Sequence, residues 1–412
     1  MKLTPEEESW LAGEGGPALR KAMEIVLALG KIYDAADTVP VRSAQIAGVS
    51  YKNLGEAGLE FLQEWARQGA RVRVPALMNP AGMDLLDWRR LGVPEEFAHR
   101  QLEVVVALST MGIAPACSCT PYLVGQRPAF GENVAWSESS AVSYANSVLG
   151  ARTNREGGPS ALAAAITGRT ARYGLHLDEN RLADTLVEVH CPVESEADYG
   201  VLGYLVGKRI GQGIPCFRGL QIEPYEGTAP PPAAENCLRA LGAAMAASGA
   251  VALYHIEGVT PEARQAVALK QDARRRTIDS LAEGYAALNT TPLADIDLVS
   301  IGCPHASTHD ITEIAHRLGG RETATRLWVT TARATKDRVP AAVQLIESAG
   351  GIVVADTCLV VAPIEAMNVH RLATNSAKAA FYAPGHSRVD VRFGSLEQCL
   401  AAALTGRWPG AG

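Results

Sequence analysis

The sequence predicts an α/β fold built on parallel sheets, and two observations carry that prediction. Short apolar runs of strand length alternate with amphipathic segments of helix length along most of the chain, the pattern of strands joined by crossover helices. Three cysteines, Cys119, Cys303 and Cys358, stand at the ends of three separate apolar runs, in SCTPY, SIGCPH and ADTC. Parallel strands deliver their carboxyl ends to one edge, so the three thiols are expected to meet there.

Residues 17–33, PALRKAMEIVLALGKIY, place apolar side chains at helical spacing, and VPVRSAQIAGVS then reads as a strand running into a polar turn. GEAGLEFLQEWARQG predicts a helix, RVRVPALMNP a strand ending at Asn79, and EVVVALSTMGIAPA a third strand ending at the Cys117 and Cys119 loop. From about 161 to 190 the pattern turns helical, and 191–260 reads as a second α/β lobe with a proline-rich surface turn, GTAPPPAAEN. After DIDLVSIGC the alternation resumes to the end. The expected domains are therefore 1–190, holding the Cys119 loop, 191–290, and 291–412, holding Cys303 and Cys358. Ser50, Asn79, Cys119, Cys303, Thr331 and Cys358 all fall just past predicted strand ends, where helix N-termini and free amides converge.

The length of 412 residues and a hydrophobic content of 47% allow two or three domains with sizeable cores. A net charge of -6, from 38 basic and 44 acidic residues without a basic run, argues against nucleic acid as a partner. The acidic start MKLTPEEESWLAGEGG lacks the basic end and apolar core of a signal peptide. No apolar stretch reaches the roughly 20 residues that span a bilayer, so no membrane association and a cytoplasmic location are expected. In that compartment the eight cysteines are reduced thiols. Cys191, Cys216, Cys237 and Cys399 read as core or incidental, since free cysteine behaves as a small buried hydrophobe.

Three thiolates with one coordination position left open suit an iron centre acting as a Lewis acid. Cys119 is preferred to Cys117 because Thr-Pro-Tyr follows it and stiffens the loop. Zinc is the rival metal, but the chain has no CxxC pair. Ser50, Lys52 and Asn53, between Gly48 and Gly55, form a polar turn at the foot of a helix, suited to a phosphate or carboxylate or simply to capping. Asn154-Arg155-Glu156-Gly-Gly resembles an anion-binding turn in which Arg155 forks onto an anion. Glu132 and Glu138 are candidate acid–base groups, or a solvated helix start. His305 and His309, four apart, either bind metal on one face or place His305 beside the iron as a hydrogen-bond donor, with a satisfied core or capping histidine the commoner reading. Asn375, Ser376 and Lys378 make a further polar loop. Walker and dinucleotide glycine patterns are absent.

The stretch CTPYLVGQRPAFGENVAWSESSAVSYANSVLGARTNREGGPSA, with GVSYKNLGEAGLEFL, YHIEGVTPEA, GCPHAS and ADTC, resembles the large subunit of the aconitase X family, within the aconitase superfamily. The resemblance covers nearly the whole chain. It implies an aconitase-like fold of three α/β domains around a central cleft, lacking the small swivelling domain, which a separate small subunit would supply as a heterodimer. It implies a hydro-lyase acting on a small hydroxy acid, with an iron–sulfur cluster on Cys119, Cys303 and Cys358. A four-iron cluster is favoured, with two-iron or mononuclear iron as alternatives. The base would be a serine of the small subunit. Family members dehydrate mevalonate 5-phosphate or cis-3-hydroxy-L-proline. Lys52 and Arg155 incline the expectation to the phosphate ester, whose dianion needs more than one cationic partner. Expected catalytic residues are Ser50, Lys52 and His305. Expected substrate contacts are Ser50, Lys52, Asn53, Asn79, Asn154, Arg155 and Glu156. An iron–sulfur sensor without enzymatic activity and a structural zinc protein are the other classes weighed. The sensor would need a nucleic-acid surface that the charge distribution does not provide.

Overall fold

The structure, a computed structural model, describes residues 1–410 except 227–228, 265–268, 290 and 293. Three parallel sheets organise it. In the first, Ala44–Ile46 lies between Ala76–Met78 and Ala135–Trp136. The second runs His255–Ile256, Pro215–Arg218, Ala183–Val189, Leu269–Ile278. The third has five strands in the order Ile352–Ala355, Arg326–Thr331, Leu298–Ala306, Arg371–Thr374, Asp390–Phe393. The expected α/β class is what the chain adopts.

The helix expected at 17–33 forms as Pro17–Ile32 and buries Leu19, Met23 and Val26 against the first sheet's core. VPVRSAQIAGVS makes two short strands rather than one. Thr38–Pro40 pairs antiparallel with Arg169–Ala171, and the chain then changes sheets to enter Ala44–Ile46. The helix Tyr51–Arg67 is interrupted at Gly55, whose φ of 64° and ψ of -174° leave one turn, 51–54, standing apart from the rest.

Two expectations fail here. EVVVALSTM is not a strand but the end of the helix Glu95–Thr110, whose buried residues Ala98, Gln101, Val104, Ala107 and Leu108 recur at helical spacing. The β-branched run suggested a strand, but the longer amphipathic period prevails. Cys119 still reaches the sheet edge, because Ala114 makes a parallel bridge to Leu77 and Ser118 N–H donates to Met78 O at 3.1 Å. The helical stretch expected from 161 to 190 ends early, since among the described residues only Gly158–Thr167 is an α-helix there and Ala183–Val189 is the central strand of the second sheet. The expected boundary at 190 therefore falls after an element that belongs to the second unit. Within that unit the helices Glu196–Ile210 and Pro232–Gly249 approach so closely that a Cβ on Gly203 would stand 2.4 Å from Leu241 O.

The first and third sheets are joined beside the thiols. The Arg333 guanidinium bridges Asp84 and Asp356, Ala355 N–H donates to Asp84 at 2.9 Å, and Ala81 makes a parallel bridge to Thr357. Burial alone would raise the Asp84 carboxyl. The amides of Asp87, Ala355 and Leu86, with Arg333, outweigh it and hold the group below its usual range.

Candidate active site

Cys303 lies within the strand Leu298–Ala306, and Cys358 follows the end of Ile352–Ala355. Cys119 is brought in from the first sheet's edge, and His305 N–H donates to its Sγ at 3.2 Å. Burial pushes all three thiols up, Cys358 to about 12; Cys303 adds to the rise at Cys119 and Cys358, and Cys358 adds to it at Cys119. Lys378 opposes that rise at all three. Thiols this reluctant to ionise in apolar surroundings lose the proton readily to a metal cation. Cys117 is also buried, but its charged neighbours are Asp356 and Arg333 rather than the other thiols.

The His305 ring is fully buried. Nε2 meets Thr357 O at 2.9 Å, Nδ1 meets Ser118 Oγ at 3.4 Å, and burial lowers its pKa to about 4. A neutral ring spent on these two partners secures the Cys119 and Cys358 loops, and the contact with Cys119 is made by the backbone. His305 sits on a strand and His309 on the helix Thr308–Leu318, so the two do not share a helix face. His309 is exposed.

Beside the thiols lies a buried polar group drawn from both sheets. Asn79 Nδ2 donates to Glu138 Oε2 at 2.8 Å, and Gln45 donates to Ser118 O at 2.9 Å while accepting from Glu138 N–H at 3.3 Å. Lys378 pairs with Glu138 and reaches Ser140 Oγ at 3.3 Å. Burial would raise Glu138, but Lys378 and the hydrogen bonds from Lys378, Asn79 and Ser140 bring it down to about 2. Glu132, the other carboxylate weighed, lies 4.0 Å from the exposed Arg42 and outside this group.

Of the residues expected to bind substrate, Ser50 and Lys52 face the loop after Cys358. Ser50 Oγ donates to Val361 O at 2.9 Å. Lys52 Nζ meets Ala362 O at 3.2 Å, Glu365 at 2.8 Å and Ser387 Oγ at 3.1 Å. An ammonium has three N–H groups, so an anion at Lys52 must displace one of these partners. Asn53 is exposed. Asn154 is committed to the first domain's framework, taking Leu175 N–H at 2.9 Å and donating to Tyr173 O at 3.1 Å. Glu156 is similarly placed, accepting from Ser160 and Thr170, and burial raises its carboxyl. Arg155 is exposed, with a long contact of 3.5 Å to Ala246 O.

Several buried donors around the thiols have no protein partner among the described residues. They are Thr357 Oγ1, next to Cys358; the Tyr122 hydroxyl, whose charged neighbours include Cys119; and Arg239 Nε, on the side chain that holds His305 O at 2.8 Å. Buried donors without acceptors are costly, and a sulfide-bearing cluster offers acceptors to such groups. No three His, Cys, Asp or Glu side chains among the described residues are grouped to hold a single ion. The thiols of Cys119, Cys303 and Cys358, with these unpaired donors beside them, are chemically suited to an iron–sulfur cluster.

Comparison with known proteins adds three family-model matches, the aconitase X first domain over 1–179, the second over 183–285 and the third over 296–405. The chain is 47% identical to a phosphomevalonate dehydratase large subunit of Methanocaldococcus jannaschii, over 97% of this chain and 99% of that one. It is 36% identical to a cis-3-hydroxy-L-proline dehydratase of Pseudomonas aeruginosa, over 99% of this chain and 71% of that longer protein. The crystal structure of Thermococcus kodakaraensis aconitase X in its holo-form superposes with a TM-score of 0.89 at 45% identity, covering 98% of this chain and all of that one. No described helix is long and apolar enough to cross a membrane.

Proposed function

Because the chain belongs to the aconitase X family, we propose that it is the large subunit of a hydro-lyase that dehydrates mevalonate 5-phosphate. Family membership points to an iron–sulfur cluster, and within this proposal it is a four-iron cluster on Cys119, Cys303 and Cys358. The observation that carries the reading is the near-complete alignment with relatives named phosphomevalonate dehydratase large subunit, at 47% identity over 99% of the first relative's length. The hydroxyproline enzyme aligns at 36%, and only over part of its length. A small subunit is the expected partner, and a reducing cytoplasm suits the free thiols.

An iron with an open position would stabilise the departing hydroxide. The remaining work falls to protein groups. Asn79, aligned by Gln45 and Glu138, orients the substrate beside the thiols. His305 acts by position, fixing the Cys119 loop through its backbone N–H and the Thr357 carbonyl through its ring. Ser50, Lys52 and Asn53 hold the turn that faces the Cys358 loop, and the uncommitted Arg155 is the candidate fork for a substrate anion. The partner supplies the base that removes the α-proton.

The test is anaerobic co-expression with the small subunit, followed by assays of water loss from mevalonate 5-phosphate and cis-3-hydroxy-L-proline side by side. Turnover of the phosphate ester supports the reading. Turnover of the proline alone overturns the substrate and makes Arg155 a carboxylate ligand or a bystander.

A further inference from the structure

The ion pair between Lys378 and Glu138 is buried beside the thiols, and the roles assigned above do not use it. Lys378 comes from the helix Ala377–Ser387 of the third domain and is 7% exposed, while Glu138 precedes the helix Ser139–Tyr144 of the first. Burying both charges costs several kcal/mol per ion before their attraction is counted, and an apolar pair of similar size is often as stable. A charge pair buried beside a group of thiols is a functional candidate.

Donor counting narrows the role. An ammonium has three N–H groups. Two are spent, on Glu138 and on Ser140 Oγ at 3.3 Å, leaving the third without a protein acceptor among the described residues. Beyond Glu138, the nearest anionic influences on Lys378 are the thiols of Cys303 and Cys119. The spare donor therefore belongs to a cation beside the thiols, in the buried polar group that also holds Asn79. Glu138 already takes Ser140 Oγ at 3.1 Å on the Oε1 that meets Lys378, and Asn79 at 2.8 Å on Oε2.

We propose that Lys378, held in place by Glu138, is a catalytic residue that binds the substrate's carboxylate and stabilises the charge that builds on it as the α-proton leaves. This deepens the hydro-lyase reading and rests on it. In the elimination the α-proton passes to a base and the C–H electron pair becomes the new double bond. The β-hydroxyl leaves with the C–O pair, and the proton and hydroxide together make the water released. While the C–H bond breaks, part of its electron pair is delocalised onto the carboxylate. A fixed ammonium there acts in the transition state more than in the ground state, without having to reorganise. Lys378 neither gives nor takes a proton. Its partner keeps it charged, and the carboxylate of either family substrate is the same kind of ligand.

The experiment uses the iron-loaded heterodimer and ligands that cannot react, the 3-deoxy analogue of mevalonate 5-phosphate as its carboxylate and as its carboxamide. Wild type should prefer the carboxylate by about 10–100-fold in Kd, the usual worth of one charge-assisted hydrogen bond. The double variant Lys378→Met/Glu138→Gln removes both charges together, so neither is stranded in the interior. It should keep its iron, bind the two analogues equally, and lose kcat by more than the loss in carboxylate binding. Lys378→Arg, which keeps the charge, should retain part of the preference. A double variant that keeps the wild-type preference overturns the proposal, as does one in which both analogues weaken equally, the mark of a purely structural pair. Failure of the underlying reading is a separate result, in which wild type binds neither phosphate analogue. The same comparison is then made with L-proline and L-prolinamide, and the same two outcomes decide it.

Discussion

Lys378 and Glu138 meet across 240 positions of sequence, and that distance explains what could be read in advance. Each sits in a polar stretch visible in the sequence, ENVAWSESS and NSAK, yet nothing in either stretch specifies the other. The three cysteines share one local sign that can be read in the sequence, an apolar run ending in a thiol. Lys52 and Asn154 were legible as polar residues near turns, but their partners in the structure are protein atoms that local reading cannot supply. Two substitutions examine the residue assignments. Cys303→Ala should abolish iron binding and activity together, whereas Cys237→Ala, on the second domain's helix Pro232–Gly249, should keep both. Iron content per chain checks this, and loss of metal in the Cys237 variant would show the ligand set to be misassigned. Arg155→Lys should raise KM about tenfold with little change in kcat, because a planar fork becomes a point charge. An unchanged KM removes Arg155 from the anion site.

At the scale of elements, the helix Pro5–Ala12 has almost no apolar stripe and depends on one buried carboxylate for its seat. Glu7, 1% exposed, accepts from Arg169 Nε at 2.6 Å, from the Thr38 hydroxyl and from Thr4 N–H at 2.7 Å. Burial raises its pKa, and these bonds more than reverse that, so the folded value lies below 4.5. The stabilisation it provides is complete above that pH and is lost as pH falls through the lowered folded value. Glu7→Gln should cost about 2 kcal/mol at neutral pH, less than a fully buried pair because Arg169 is partly exposed. It should also flatten the loss of stability below about pH 4.5, which thermal melts across that range would reveal. A wild-type profile already flat there would contradict the assignment. Element type was legible where period and length agreed, as in Pro17–Ile32. It was misread in Glu95–Thr110, where three consecutive valines imitate a buried strand inside an amphipathic helix.

At the scale of the molecule, the site exists only where separate domains are held in register. Arg333 does much of that holding, since removing it would leave Asp84 and Asp356 facing each other in a buried junction. Arg333→Met should therefore cost about 3 kcal/mol and lower the Tm by several degrees, with a further loss of iron because Asp356 lies just before Cys358. Calorimetry with parallel iron analysis checks both effects, and an unchanged Tm would show that the junction is held by other contacts. The parallel-sheet class was legible from alternation alone. The start of the second unit was not, because Ala183–Val189 follows a helix and several short turns that blur the change of unit.

The bonds from Ser50 and Lys52 to Val361, Ala362 and Glu365 tie the turn at 50–53 to the loop that begins at Cys358. Whatever orders one side orders the other, and thermodynamic linkage is reciprocal. If the metal tightens the grip on a ligand at that turn, the ligand tightens the grip on the metal by the same factor. The idle enzyme, with nothing bound at the turn, is then the form that parts with its iron most easily.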